Sequence, residues 1–164
     1  MSSAPPPTTL TLLSQIPSHA PGSKLRFLGC VSSYDTSSGF LELQHAFPES
    51  STRTVRALVD VNVILETLRR DDLEVGAWVN VLAYVQPDQA ESDLKRLSSE
   101  RLRGKHSPPG ATSRSGSSTI NVKLQAVMLW NAGAIKIADY ERAVESKINL
   151  DNPRTAVDII AVAQ

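Results

Sequence analysis

The chain has 164 residues, 41% of them hydrophobic, which is enough to close one core without metal ions or disulfides. Lysine plus arginine and aspartate plus glutamate both total 17, so there is no net cationic field to attract nucleic acid, and an aromatic content of 5% limits base stacking. The single cysteine, Cys30, excludes a disulfide within the chain, and with no signal-peptide pattern or membrane-length apolar run we expect a soluble intracellular protein.

The first predicted element is a flexible N-terminal tail over residues 1–22, which is rich in proline, serine and threonine. From Ser23 apolar residues alternate with polar ones, which predicts strand one, and Gly29 marks a position where this strand can bulge or bend. A turn sequence over residues 35–39 leads into a second alternating run. The two runs therefore predict a β-hairpin.

Strand three is predicted over residues 54–59, and Asp60 follows it as a helix N-cap. Apolar residues then recur at i, i+3, i+4 and i+7, which predicts a short amphipathic helix with positive charge in its last turn. This stripe consists of Val61, Ile64, Leu65 and Leu68. A turn at Gly76 leads to strand four, over residues 78–85, where both faces are apolar and both are expected to be covered.

The polar composition of residues 87–119 predicts a disordered insertion between strands four and five. Strand five follows over residues 120–130. Its alternation assigns Met128 and Trp130 to the core face, with Val122, Leu124 and Ala126, and turns Val127 and Leu129 outward. A C-terminal helix is predicted over residues 132–148, and the remaining residues, 149–164, form a tail or a short helix.

Five strands with a helix between the third and fourth follow the plan of an OB-fold, a Greek-key barrel. We therefore predict an all-β protein with flanking helices, in which residues 23–131 form the barrel. This fold is a binding scaffold far more often than an enzyme, so function is expected to lie in its surfaces.

No catalytic or metal site can be assigned from the sequence. The three histidines fall in the predicted tail, on a strand and in the insertion, so none is paired with a nucleophile. Cysteine and histidine do not recur at a ligand-like spacing. Ser92 and Lys95 match an S-x-x-K pattern, but they lie in the insertion without the companion motifs. We expect no enzyme activity, no metal and no cofactor.

Four segments, over residues 22–31, 57–61, 76–81 and 127–134, resemble the fungal form of the smallest, Ten-one subunit of the CST telomere-capping complex. The resemblance implies a single OB-fold that pairs with the Stn-one subunit and works with the large CST subunit. It further implies binding of single-stranded telomeric DNA by the assembly, support of fill-in by polymerase alpha-primase, and a location at the telomeres of nuclear chromosomes. The insertion and the segment after Ile148 have no counterpart in this resemblance.

The predicted partner surface combines the apolar stripe of the C-terminal helix with barrel residues assigned to outward faces. Its members are Ile137, Tyr140, Val144, Ile148, Leu82, Tyr84, Val127 and Leu129. The alternative for the helix is that its stripe packs back on its own barrel. A short stripe contributes little to association by itself, so neighbouring barrel surface is needed for a stable heterodimer.

The predicted nucleic-acid surface consists of charged residues out of the core register and one aromatic residue near the first hairpin. They are Arg26, Arg56, Lys123 and Tyr34. The alternative is ordinary solvated surface. Because the chain is neutral, we expect weak DNA binding in isolation. Two other functions remain open at this stage, a single-strand-binding accessory subunit like that of replication protein A, and a protein scaffold without DNA contact.

Overall fold

The computed structural model describes residues 6–48, 54–87 and 119–151, which form six β-strands, three short 3-10 helices and one α-helix. The strands are β1 (Thr9–Leu10), β2 (Lys24–Asp35), β3 (Phe40–Gln44), β4 (Thr54–Asp60), β5 (Trp78–Val85) and β6 (Thr119–Asn131). The 3-10 helices cover Leu13–Ser18, Asn62–Thr67 and Arg70–Leu73, and the α-helix, α1, covers Ile137–Asp151. The predicted insertion, apart from its two end residues, and residues 152–164 lie outside the described part of the chain.

Five strands close into a ring in the order β2-β3-β4-β6-β5 and back to β2. The first half of β2 pairs antiparallel with β5 and its second half with β3, so this long strand joins the two sides of the barrel. The β4–β6 pair is parallel, whereas β3–β4 and β5–β6 are antiparallel. This closed ring with a C-terminal helix confirms the predicted OB-fold.

Gly29 lies in β2 where the strand passes close to β3. A Cβ atom at this position would lie 3.0 Å from the Cβ of Leu43, which is tighter than ordinary packing. The bulge in β2 occurs two residues further on, where the pairing with β3 shifts register between Val31 and Ser33. The glycine therefore permits the close approach of the strands, and the extra residue of the bulge, Ser32, bends the strand into the ring.

Residues 9–18 belong to the barrel, so the prediction of a flexible tail over residues 1–22 is wrong for this segment. β1 adds a short parallel pair to β2, and both Leu13 and Ile16 are 0% exposed within the barrel core. A 3-10 helix has three residues per turn, so side chains three apart point the same way and two apolar residues suffice to fill the barrel end. The segment was predicted to be flexible because it contains few apolar residues. The number of apolar residues does not show that two of them point in the same direction.

The segment after β4 is not the predicted α-helix. It forms two 3-10 helices, and the three-residue repeat places Val61 and Ile64 toward the core while Leu65 is 43% exposed. The carboxylate of Asp60 accepts a hydrogen bond from the Asn62 backbone N–H at 2.9 Å, but the N-cap position of this helix is Val61 and no side chain caps it, so the prediction of Asp60 as the N-cap was wrong. The position of the helical segment was thus predicted correctly and its period was not.

A bulge in β6 reverses the predicted faces of its second half. Leu82 pairs with Met128 and Ala83 pairs with Ala126, so Val127 has no partner on β5. Beyond this extra residue Leu129 points into the core and is 7% exposed, whereas Met128 is 55% exposed. The assignments of Met128 to the core and of Leu129 to the outward face were therefore wrong.

Within the described ranges no helix is long and apolar enough to cross a membrane.

Candidate interaction surfaces

The C-terminal helix folds back on the barrel directly after β6. The Ala132 N–H donates to the Trp78 carbonyl at 2.8 Å, which extends the β5–β6 ladder by one bond. Gly133 then adopts a φ of 63°, a conformation that favours glycine, and its N–H donates to the Asn131 side chain at 2.7 Å. This reversal directs α1 across the outside of the barrel.

The helix α1 packs over β2 and is held there by contacts on two flanks. Leu28 of β2 is fully buried although it does not belong to the interior cluster. On one flank, Glu141 Oε1 lies 2.8 Å from His45 Nε2. On the other flank, the Tyr140 hydroxyl is buried close to Arg26 and to the backbone of Leu28, without a hydrogen-bond partner among the described residues, and this burial raises the pKa of its phenol.

The predicted helix stripe divides into one buried and three half-buried residues. Val144 is 1% exposed and packs within its own chain, so its assignment as an accessible partner contact was wrong in this conformation. Ile137, Tyr140 and Ile148 keep part of their surface in solvent. The stripe therefore fastens α1 to the barrel at its centre and leaves apolar surface along its length.

Beside α1 the outer surface of β5 and β6 carries an apolar patch, which we call the β5–β6 face. Its members are Leu82, Tyr84, Val127, Met128 and Trp130, of which Val127 and Met128 are the most exposed. Two cations from β2 border it. The Arg26 guanidinium carbon lies 5.2 Å from the centre of the Trp130 ring, and Lys24 Nζ lies 5.9 Å from that of Tyr84. Exposed aromatic residues, methionine and arginine together are typical of protein interfaces.

Leu82, Tyr84 and Val127 were correctly predicted to lie outside the core. Met128 and Trp130 were predicted to lie in the core and are instead part of this face. Residues 126–130 are all apolar, so their alternation contains no mark of the bulge that decides which of them face outward. Leu129, which sequence reasoning assigned to the partner surface, belongs to the interior cluster. No local signal separates these two faces, because the difference depends on pairing with β5.

The four predicted nucleic-acid residues are not brought together. Arg56 and Lys123 lie on adjacent strands, but Arg56 pairs with Glu42 at 3.2 Å. Arg26 is two strands away from Arg56 around the ring and borders the β5–β6 face. Tyr34 is half-buried and packs partly against the barrel core, apart from these three cations. These residues do not form one continuous cationic surface.

The turn between β2 and β3, one of the loops that bind ligands in OB-folds, carries a persistent negative charge. The Asp35 carboxylate accepts hydrogen bonds from the Ser37 hydroxyl at 2.6 Å, the Ser38 hydroxyl at 2.6 Å and the Ser37 N–H at 2.9 Å. These bonds, with the Ser37 hydroxyl first, lower the pKa of Asp35 to about 2. The carboxylate is ionised at neutral pH, where it disfavours a phosphate nearby.

Metal-binding clusters are not found in the ranges that the structure describes. No group of three or more histidine, cysteine, aspartate or glutamate side chains there could hold a metal ion. Cys30 is half-buried, and desolvation raises the pKa of its thiol, which keeps it protonated and unreactive. The surfaces on α1 and on the β5–β6 face are therefore the best-formed candidates for function among these residues.

Comparison with known proteins agrees with the geometry. Residues 1–145 match the family model described as "Ten1: Telomere capping, CST complex subunit". The crystal structure of telomere capping protein Ten1 from S. pombe superposes with a TM-score of 0.55 at 20% identity, covering 87% of this chain and 99% of that one. A chain of the S. pombe Stn1-ten1 complex matches with a TM-score of 0.54 at 20% identity, covering 87% and 93%.

At this level of identity the likeness to the solved structures concerns the fold. The search of curated proteins finds no match. The family model, in contrast, spans most of the sequence, from the N-terminal segment that plugs the barrel into the middle of α1. The chain therefore belongs to the Ten1 family of telomere-capping CST complex subunits.

Proposed function

We propose that this protein is a non-enzymatic small subunit of a nuclear CST-type complex, and that it caps telomeres as a heterodimer with a Stn1-type OB-fold subunit. The observation that carries the proposal is the exposed β5–β6 face next to α1 in a chain of the Ten1 family. A chain of similar fold is found in the S. pombe Stn1-ten1 complex, which supports a partner of this type. The partner would cover the half-buried side of α1 and the β5–β6 face in one interface.

The free energy gained by burying apolar surface determines how much of that surface a stable heterodimer must cover. Full burial of an apolar side chain is worth about 1.5 to 3 kcal/mol, against a cost of about 4 to 15 kcal/mol for lost freedom on association. The helix contributes only the remaining exposed parts of Ile137, Tyr140 and Ile148, which is too little for stable pairing. Adding Leu82 and Met128 with their neighbours on the β5–β6 face brings the gain into the range of this cost, so a stable heterodimer must use both surfaces.

Contact with single-stranded telomeric DNA is proposed as a property of the assembly. In the isolated chain, Arg56 is paired with Glu42 and Tyr34 is packed on the core, so weak binding is expected. The proposal includes association with the large CST subunit and support of fill-in by polymerase alpha-primase. A scaffold that touches no DNA is the second candidate, favoured by the ionised Asp35 at the ligand-binding end of the barrel.

Two measurements test this function. Affinity purification from the native nucleus should recover a Stn1-type subunit, and recovery of other partners alone would contradict the proposal. Crosslinking to a telomeric single strand should be strong with the partner and weak without it. Equal crosslinking in both states would instead indicate a general single-strand-binding module, and none in either state would indicate a scaffold.

A further inference from the structure

A cavity of about 310 Å³ lies against the flank of α1 that carries Glu141, at the end of β3. We refer to it as the His45 cavity. Its walls include Ser14, Gln44, His45, Phe47, Val55 and Trp78. It thus joins five parts of the fold beside the proposed partner-binding helix, namely the N-terminal 3-10 helix, the middle of β2, the end of β3, the start of β4 and the start of β5.

The aromatic wall of this cavity is formed before any ligand arrives. The edge of the His45 ring meets Trp78 with 5.1 Å between ring centroids, and the same ring stacks on Phe47 at 6.1 Å. Glu141 fixes the ring from the third side through its 2.8 Å contact with Nε2. A wall whose side chains are already ordered loses little entropy when a ligand binds, which favours binding.

Among the described residues, the lining is apolar and aromatic with a few polar groups and no lysine or arginine. The hydroxyl of Ser14 is buried there without a hydrogen-bond partner among the described residues. An adjoining cavity shares Ser14 with it and is bordered by Glu145 and Ile148 of α1. A nucleic-acid strand would place its phosphates near Glu141 and Glu145, and the described lining offers no cation to balance them, so this lining disfavours a nucleotide.

We propose that the His45 cavity receives one aromatic or branched apolar side chain of the Stn1-type partner, from a segment that carries lysine or arginine beside it. This inference rests on the proposed function, because it places the cavity at the edge of the interface that α1 forms with that partner. The inserted side chain packs against the ring of Trp78, and the neighbouring cation faces Glu145. The cavity thereby extends the interface to the side of α1 away from Tyr140.

A matched pair of variants tests the site. Thr54 lines the cavity and is exposed at the start of β4, so Thr54→Phe fills it with little risk to the barrel. Thr119 is the residue opposite Thr54 on β6, is also exposed and does not line the cavity, so Thr119→Phe is the control. Titration with the purified partner should show a dissociation constant raised about tenfold or more for Thr54→Phe and changed less than about twofold for Thr119→Phe.

Fluorine NMR supplies an independent readout, because the chain has two tryptophans and only Trp78 lines the cavity. In full-length protein labelled with 5-fluorotryptophan, the Trp78 resonance should shift when unlabelled partner is added, and it should not shift in Thr54→Phe. A heterodimer that forms without this shift, and with equal affinity for both variants, would overturn the cavity assignment and leave the proposed function standing. Failure of the wild-type chain to bind the partner would remove both, and a Trp78 shift caused by a single-stranded oligonucleotide alone would reassign the cavity to nucleic acid.

Discussion

Replacement of Val144 by aspartate should detach α1 from the barrel and abolish pairing with the partner. Val144 is 1% exposed, so the variant loses about 1.5 to 3 kcal/mol of apolar burial. A carboxylate buried there without a partner would cost several kcal/mol more, which the chain avoids by releasing the helix. The loss is then limited to what holds α1 in place, of which Val144 and the hydrogen bond from His45 to Glu141 account for about 3 to 6 kcal/mol gross.

The barrel itself should survive this change, because Val144 is not part of the interior cluster that the strands enclose. The far-UV circular dichroism signal of the strands and the main unfolding transition should remain, while limited proteolysis should cleave α1 rapidly. A pull-down with the partner should show no complex for Val144→Asp. Partner binding at wild-type affinity, or unchanged protection of α1 from protease, would refute the reasoning that a docked α1 forms part of the interface.

The other predictions follow from the corrected faces and from the turn chemistry. Leu13→Ala should lower the free energy of unfolding by about 2 to 5 kcal/mol in urea titrations, because its side chain fills the barrel end; a loss below about 0.5 kcal/mol would show that the N-terminal segment is dispensable. Met128→Asp should abolish partner binding without changing stability, whereas Leu129→Asp should unfold the barrel, and the reverse pattern would contradict the bulge. Because the folded-state pKa of Asp35 is lowered to about 2, the stability it contributes is present above about pH 4 and is lost as the pH falls toward 2. Thermal melts of Asp35→Asn should lack this part of the acid dependence. If the melting temperatures of wild type and variant fall in parallel with pH, the hydrogen bonds from Ser37 and Ser38 do not stabilise the carboxylate.

Local sequence patterns predicted some residues of the candidate partner surface correctly and others wrongly. Tyr84 and Leu82 were assigned outward by a two-residue alternation that holds along β5, and the structure keeps them there. The same rule failed in β6 because one unpaired residue shifts every later side chain to the other face. Val144 was recognised as apolar, yet nothing in its helix says whether such a stripe meets its own barrel or another protein.

The sequence alone determined the five strands, their order around an OB-fold barrel, the helix that follows them and the family, because alternation, turn residues and short motifs are properties of neighbouring residues. Only the tertiary structure decided that Leu13 and Ile16 plug the barrel, that a bulge exposes Met128, and that α1 is fastened through Val144 and Glu141. Each of these depends on contacts between residues far apart in the chain. The free energy of such contacts depends on which surfaces pack together, and a local sequence pattern does not show which distant residues will be neighbours.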